Sequence, residues 1–468
     1  MTRQIHTGSH DLPVTAALEA FMSEDWAEPA PMVEGPDPVA PWAARRRAAL
    51  AEAFPGERLV VPAGRYLPRS NDQDYRFRPH TAHTWLTGNQ SSDAVLVLDG
   101  GDAVLYVRPA PSRDTDEFWR DRRYGDFWAG RRPTLTETSL AFDLECRHLD
   151  DLEAALGRPR PTRVLRGVDP EVDRLVRSGD AGAHAMLACV LSELRLVKDD
   201  WEVAQLTEAV DATVRGFEDC VREWDQAVQH GERWIEGTFG RRARMDGNDV
   251  GYSSIVAAGA HATTLHWIDN SGPVRDGELI LLDMGVEARS LYTADVTRTL
   301  PVSGRFTSTQ RDLYSLVLRA QDAGIAVLKP GAEFRDFHRA TSEVMAHGLA
   351  DLGLLPCSAE EALDESSTIY RRWTLCASGH MLGMDVHDCG LARAERYLDG
   401  VLEEGHVLTV EPGLYLQAED LKLPAELRGI GIRVEDDLVV TADGSRNLSA
   451  GLPRDPDDIE TWMADLAR

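Results

Sequence analysis

Apolar residues in this chain fall into short strand-like runs and longer helix-like stripes. The most informative run is Glu278 to Pro301, ELILLDMGVEARSLYTADVTRTLP. Leu279, Ile280, Leu281 and Leu282 lead up to Asp283, Gly285 follows, and a second run carries Asp295 ahead of Arg298 and Pro301. The pattern predicts a β-hairpin or short meander inside a core. A lone buried carboxylate at the end of such a run must be paired or hold a cation, because otherwise it neutralises. Asp283 and Asp295 could also be turn residues that hydrogen-bond their own backbone, and the hairpin alone leaves both readings open.

In WEVAQLTEAVDATVRGFEDCVREW, Val203, Leu206, Val210, Val214, Phe217 and Val221 recur at helical spacing, which predicts an amphipathic helix. The preceding ELRLVKDDWE reads as a linker, so a domain boundary is expected near Glu193. Thr307 and Gln310 match a capping box opening a helix through Leu313, Leu316, Val317 and Ala320, with Pro330 and Gly331 as its stop. A second helix is expected from roughly Phe334 to Leu349. Upstream, from about Pro41 to Val190, the rhythm is α/β: a basic helix PWAARRRAALAEAF, a strand RLVVPAG, and a hairpin in which Gly100 and Gly101 join DAVLVLDG to DAVLYVRPA. Downstream, hairpins alternate with a helix pair and lack the βαβ rhythm of a parallel sheet.

Length fits this division, since 468 residues exceed what one core usually serves. The expected organisation is an extended arm over 1–40, a smaller α/β domain over 41–192 and a larger α+β domain over 193–468. The arm is rich in Pro, Glu and Ala and can bury little surface. Fifty Lys plus Arg stand against 78 Asp plus Glu, a formal net charge of −28. Such a surface repels phosphate backbones and argues against a nucleic-acid partner. The segment RDTDEFWRDRRYGDFWAGRR mixes aromatics with arginines, and on so acidic a chain it is expected to be a surface turn or subunit contact. No run is long and apolar enough for a membrane span, and MTRQIHTGSHDLPVTAALEAF does not read as a secretory signal. Cys146, Cys189, Cys220, Cys357, Cys376 and Cys389 are scattered without metal-finger spacing, which fits a reduced, cytoplasmic protein.

Three further stretches extend the hairpin's chemistry. ASGHMLGMDVHDCG carries His380 and His387 in a Gly-flanked run, HVLTVEPGLYL ends an apolar strand at Glu411, and GIGIRVEDDLVV sets Glu435 on the strand face opposite Ile432 and Val434. A single histidine is more often a packed residue than a ligand, and a strand carboxylate usually faces water. Four strand-borne carboxylates beside an imidazole are harder to explain by solvation. Packed together they would push each other's pKa up unless cations sat between them. Oxygen-rich sets with one His suit Mn²⁺ and also Co, Fe or Zn, and two such ions bridged by carboxylates make a dinuclear metallohydrolase.

The order LLDMG, YTADVTRT, GHMLGMDVHD, VLTVEPGLY and GIRVEDD resembles the pita-bread metallopeptidases, and among them aminopeptidase P, the Xaa-Pro aminopeptidases. The likeness runs from about Leu194 to Pro453. Trp42 to about Leu191, especially HTWLTGNQSSDAVLVLD, resembles that family's N-terminal domain. The resemblance implies an α+β fold with a C-terminal pita-bread (creatinase/aminopeptidase) catalytic domain. It implies two divalent ions, Mn²⁺ being the expected metal. Asp283 would chelate one ion, Asp295 and Glu435 would bridge both, and His380 and Glu411 would complete the second. His266 and His387 match histidines that line the substrate site and steady the tetrahedral intermediate, and Tyr252 and Arg433 match further active-site positions. The implied reaction is attack of a bridging hydroxide on the carbonyl before proline, with Glu411 as proton acceptor, releasing the N-terminal residue of peptides with proline second. A homodimer or homotetramer is implied as well.

One departure stands out. Cys376 occupies the position four residues before His380 where many relatives carry a second histidine. It is either a neutral variation or the loss of a hydrogen-bond partner near the metals. The other cysteines are expected to be buried packing residues. The alternatives are a prolidase cutting Xaa-Pro dipeptides with the same five ligands, and a catalytically weak peptide-binding member of the fold. Creatinase-like relatives lack the metal set.

Overall fold

The computed structural model describes residues 5–8, 10–177 and 180–467. The chain divides after Leu194 into two compact units. In the first, a mixed five-stranded sheet is built from β1 (Arg58–Pro62), β2 (Val95–Asp99), β3 (Asp102–Val107), β4 (Glu145–His148) and β5 (Thr162–Val164) in the order β4-β3-β2-β1-β5. The hairpin turning at Gly100 and Gly101 is β2–β3, paired antiparallel from Asp99 opposite Asp102 to Val95 opposite Tyr106. Both glycines have positive φ, as a tight turn of this hand requires.

The arm is less loose than its composition suggests. It carries a short helix, α1 (Ala16–Met22), with none of its residues buried, capped by Thr15. Around α1 the arm is fastened to the Arg-aromatic segment. Asp121 accepts from the His6 backbone N–H, Arg122 pairs with Asp11, and Trp26 sits edge-on to Phe118 and Phe127 at 5.3 and 5.6 Å. That segment folds into two short helices, Asp116–Arg120 and Asp126–Ala129, and is the seat of the arm. Its aromatics offered no periodic signal for such a partner. Residues 1–4 and 9 of the arm lie outside the described residues.

The second unit opens with α2 (Asp200–Arg222), whose start is fixed by a reciprocal capping box between Asp199 and Glu202. Leu206, Val210, Phe217 and Val221 are buried, so the apolar stripe is its packed face. Then come α3 (Glu232–Asp246) and β6 (Ile255–Ala258), β7 (Leu279–Met284) and β8 (Val296–Pro301), an antiparallel sheet in the order β8-β7-β6. The helix opening at Thr307, α4 (Ser308–Ala326), has the expected box with Gln310 but ends before Pro330, and it packs along α5 (Asp336–Asp351). Last come β9 (Val407–Val410), β10 (Gly413–Leu416), β11 (Ile430–Arg433), β12 (Asp436–Thr441) and β13 (Gly444–Asn447). Strands β9, β12 and β13 form one sheet and β10–β11 a ribbon. All six cysteines are free. Cys220 and Cys389 are buried, whereas Cys146, Cys189 and Cys357 are only half-buried, against the expectation of burial. Among the described residues no helix is long and apolar enough to cross a membrane.

The sheets carrying β8 and β12 are joined by Arg298, the largest fully buried side chain. Its guanidinium donates to Asp436 Oδ1 at 2.7 Å and to the backbone carbonyls of Glu435, Thr297, Leu452 and Pro453. Burial would raise the Asp436 carboxyl's pKa, but Arg298 and Ser449 outweigh it and the pKa is lowered. Breaking one side of such a buried pair leaves an uncompensated charge. Arg298→Met is therefore expected to lower stability by about 3–5 kcal/mol in urea unfolding. A loss below about 1 kcal/mol, the range of exposed pairs, would show that the contact is not structural.

Candidate metal centre

Residues far apart in sequence converge at one end of the β6–β8 sheet. Asp283 lies on β7 opposite Thr297 of β8 and Ile255 of β6, and Asp295 immediately precedes β8. Gly285 permits the close passage between them, since a Cβ there would meet the Ala294 carbonyl at 1.8 Å. Glu411 follows β9, and Glu435 lies between β11 and β12. His380 is held against β9 by its N–H to Thr409 Oγ1 and by Thr409 N–H to its carbonyl. Gly379 just before it has positive φ, and a Cβ there would strike the Thr409 carbonyl. The alternation in GIGIRVEDD turns Arg433 and Glu435 to the same side, as period two requires.

The five predicted ligands adjoin one another. Asp295, His380 and Glu435 each offer a ligand atom within 4.8 Å of the others. His380 Nε2 lies 3.3 Å from Asp295 Oδ2 and 3.5 Å from Glu411 Oε1, while its Nδ1 faces the Met381 carbonyl at 3.2 Å. That orientation leaves Nε2 aimed at the carboxylates. Asp283 and Asp295 both sit 2.6 Å from the Tyr252 hydroxyl. A phenol has one proton to share between the two carboxylates, so each leans on a second partner, Asp283 on Arg433 and Asp295 on His380. Arg433 pairs with Asp283 and donates to Thr297 Oγ1 at 3.1 Å and to the Tyr415 hydroxyl at 2.9 Å. Thr297 in turn donates to Glu435 Oε2 at 2.7 Å. The other oxygen, Oε1, is buried without a partner.

Electrostatics agree with that arrangement. Burial pushes the Asp295, Glu411 and Glu435 carboxyls up, and their mutual repulsion adds to it. Burial alone would lower the pKa of His380, but the hydrogen bond to Asp295 and the charge of Glu411 bring it to about 9. An orphaned buried carboxylate oxygen beside an oxygen-rich set with one imidazole fits a divalent ion.

The cavity above this set holds about 310 Å³ and is lined by Tyr252, His266, His380, His387, Glu411 and Arg433 among others. All the predicted histidines are thus at one place. His387 meets the His380 ring edge-on at 4.4 Å, and burial together with the charge of His380 lowers its pKa. Its loop is pinned by the neighbouring Asp388, buried against Lys198 at 3.0 Å and Arg195 at 2.9 Å. Cys376 also lines the cavity, with Sγ 3.8 Å from the Glu411 carbonyl oxygen and 3.9 Å from the Tyr415 hydroxyl. Sequence reasoning missed Thr297 and Tyr415, which brace Arg433, and the apolar wall of Ile255, Leu265, Ile268 and Val386. Leu265, Ile268 and Val386 lie within two residues of His266 or His387, a proximity that could have flagged them.

A carboxylate-rich pocket of this kind on this fold is that of a metallopeptidase, and the chain belongs to metallopeptidase family M24, whose model matches residues 204–442. The aminopeptidase P N-terminal domain matches residues 43–160. The chain is 53% identical to Xaa-Pro aminopeptidase 2 of Streptomyces coelicolor over 97% of both chains. It is 33% identical to the Xaa-Pro aminopeptidase of Escherichia coli, covering 90% of this chain and 96% of that one. Among solved structures, Pseudomonas aeruginosa aminopeptidase PepP superposes with a TM-score of 0.81 at 30% identity, covering 91% of this chain and 98% of that one. Escherichia coli aminopeptidase P with the inhibitor Pro-Leu gives 0.81 at 28%, covering 92% and 99%. The second unit thus has the pita-bread fold, preceded by the smaller domain.

Metal ligands must shed their protons. Because His380 holds its proton up to about pH 9 in the metal-free protein, metal uptake at neutral pH is expected to release about one proton or more and to tighten as pH rises. Calorimetric titration with Mn²⁺ in buffers of different ionisation enthalpy measures that release. A value of zero would remove His380 from the ligand set.

Proposed function

We propose that this chain is a metal-dependent Xaa-Pro aminopeptidase that removes the N-terminal residue from peptides with proline second. The observation that carries the reading is the meeting of Asp295, His380 and Glu435, flanked by Asp283 and Glu411, at the floor of a cavity with an apolar wall. The names of its relatives support the substrate class. Asp283, Asp295, His380, Glu411 and Glu435 would hold the ions, and the hard, oxygen-rich set favours Mn²⁺. Divalent ions bound there supply Lewis acidity and a water of lowered pKa.

The residues of the chain do the rest. A proline in second place makes the scissile bond a tertiary amide without an N–H. The ring must therefore be recognised by shape, for which Ile255, Leu265, Ile268 and Val386 supply surface. Glu411, its pKa pushed up by burial, accepts a proton from the attacking water and returns it to the prolyl nitrogen as the C–N bond breaks. His266 and a neutral His387 steady the charge that develops on the carbonyl oxygen. Arg433 and Tyr252 hold Asp283 and Asp295 in place. The proposal includes a homodimer or homotetramer, carried over from the family resemblance, and a reduced cytoplasmic setting, supported by the six free cysteines.

The direct test is hydrolysis of Arg-Pro-Pro by metal-stripped protein with and without Mn²⁺. Release of arginine only with metal is expected; refusal of the tripeptide with cleavage of an Xaa-Pro dipeptide would make it a prolidase instead. Asp295→Ala is expected to abolish both activity and metal content, because Asp295 would be among the carboxylates holding the ions and its loss would leave their charge under-compensated; retention of both metals would sink that role. His387→Ala should lower turnover by about 10²-fold or more while metal content holds. Equal losses would make it a ligand.

A further inference from the structure

The loop between β6 and β7 delivers His266 and Ile268 to the cavity, yet no regular strand or α-helix runs through these residues. Its geometry converges instead on one side chain. Glu232 opens α3 and is fully buried, where a carboxylate is strongly unfavourable unless its lone pairs are filled. They are filled. Oε1 accepts from the backbone N–H of Ala258 at 2.8 Å and faces Nδ1 of His261 at 2.8 Å. Oε2 accepts from Nε1 of Trp267 at 2.9 Å and from the backbone N–H of Gly272 at 2.6 Å. The Glu232 N–H donates back to the Gly272 carbonyl at 3.0 Å.

These partners bracket His266 on both sides. Ala258 ends β6, His261 lies in the 3₁₀ turn that opens the loop, Trp267 is the next residue after His266, and Gly272 lies on its far side. The His261 ring stacks on Trp267 with centroids 3.9 Å apart, so the two side chains bonded to Glu232 also support each other. Gly272 leaves no slack, since a Cβ there would lie 2.4 Å from the His261 ring and 2.8 Å from Glu232 Oε1. Asn270 adds a smaller clamp, accepting from Val256 N–H and donating to the Ser254 carbonyl.

We infer that Glu232 is a positioning residue of the active site: its carboxylate sets the loop so that His266 and Ile268 stand against the metal centre. The inference rests on the peptidase reading above. It differs from a purely structural role in one respect, that the effect of losing Glu232 on turnover passes through His266. A glutamine has the same size but presents an amide N–H₂ where one oxygen accepted two hydrogens, so Glu232→Gln breaks half of the hub without leaving a hole.

The test uses the full-length, Mn²⁺-loaded protein and a double-mutant cycle of Glu232→Gln with His266→Ala on Arg-Pro-Pro. Glu232→Gln is expected to lower kcat by about tenfold or more, as small misplacements of catalytic groups do, with KM within about twofold and metal content unchanged. In the His266→Ala background the same substitution should change kcat less than about twofold, the non-additivity of residues that act as a unit. Equal losses in both backgrounds, loss of metal alongside activity, or an unchanged kcat would overturn the inference. If Glu232→Gln does not fold, Trp267→Phe keeps the stacked ring and removes one donor. It should give a smaller fall in kcat with the same dependence on His266, and an unchanged kcat there would likewise overturn it. Wild-type protein that fails to release arginine would instead overturn the peptidase reading, so the two failures are distinguishable.

Discussion

Like charges confined in a poor dielectric are the constraint on which this structure depends. Asp295, Glu411 and Glu435 are gathered within reach of one imidazole, with Asp283 joined to Asp295 through Tyr252, and nothing in the packing of strands favours that. The cost is met by fixed partners on every side. Tyr252 spans the two aspartates, Arg433 pairs with Asp283, and Thr297 relays between Arg433 and Glu435. One oxygen of Glu435 is left over, as a ligand awaiting a cation would be.

Around that cluster the fold acts as a frame for side chains that would otherwise repel. Arg298 binds the strand after Asp295 to the strand after Glu435 from below, through Asp436 and four backbone carbonyls. The Lys198–Asp388–Arg195 cluster does the same for the loop between His380 and the next strand. Each anchor is a buried ion pair, and each lies one or a few residues from a group in the site. Preorganisation of this kind is what lets a site hold charge where it develops during reaction instead of rearranging to meet it.

Cys376 sits inside this frame. Its thiol lines the cavity beside the Glu411 carbonyl and the Tyr415 hydroxyl. Since Arg433 also donates to Tyr415, the cysteine touches the metal centre only through groups already held by other bonds.

The chemistry was legible in the sequence because it depends on residue type at fixed points on strands. Asp283 after four apolar residues, Glu411 at a strand end, Glu435 in alternation with Ile432 and Val434, and the Gly-flanked His380 stand out by periodicity and local turn chemistry, while their individual roles came from the resemblance of the motif order. The capping box at Thr307, a contact within a single turn, stands out likewise, whereas the one at Asp199 was found only in the structure. What the tertiary structure alone decided are the contacts between segments with no common period. The seat of the N-terminal arm on the Arg-aromatic segment, the passage of Arg298 between sheets, the apolar wall of the cavity and the bracing of Arg433 by Thr297 and Tyr415 all join residues that no local pattern relates. Their partners are chosen by proximity in the folded chain, and proximity across more than a hundred residues, as between Thr297 and Glu435, is a property of packing.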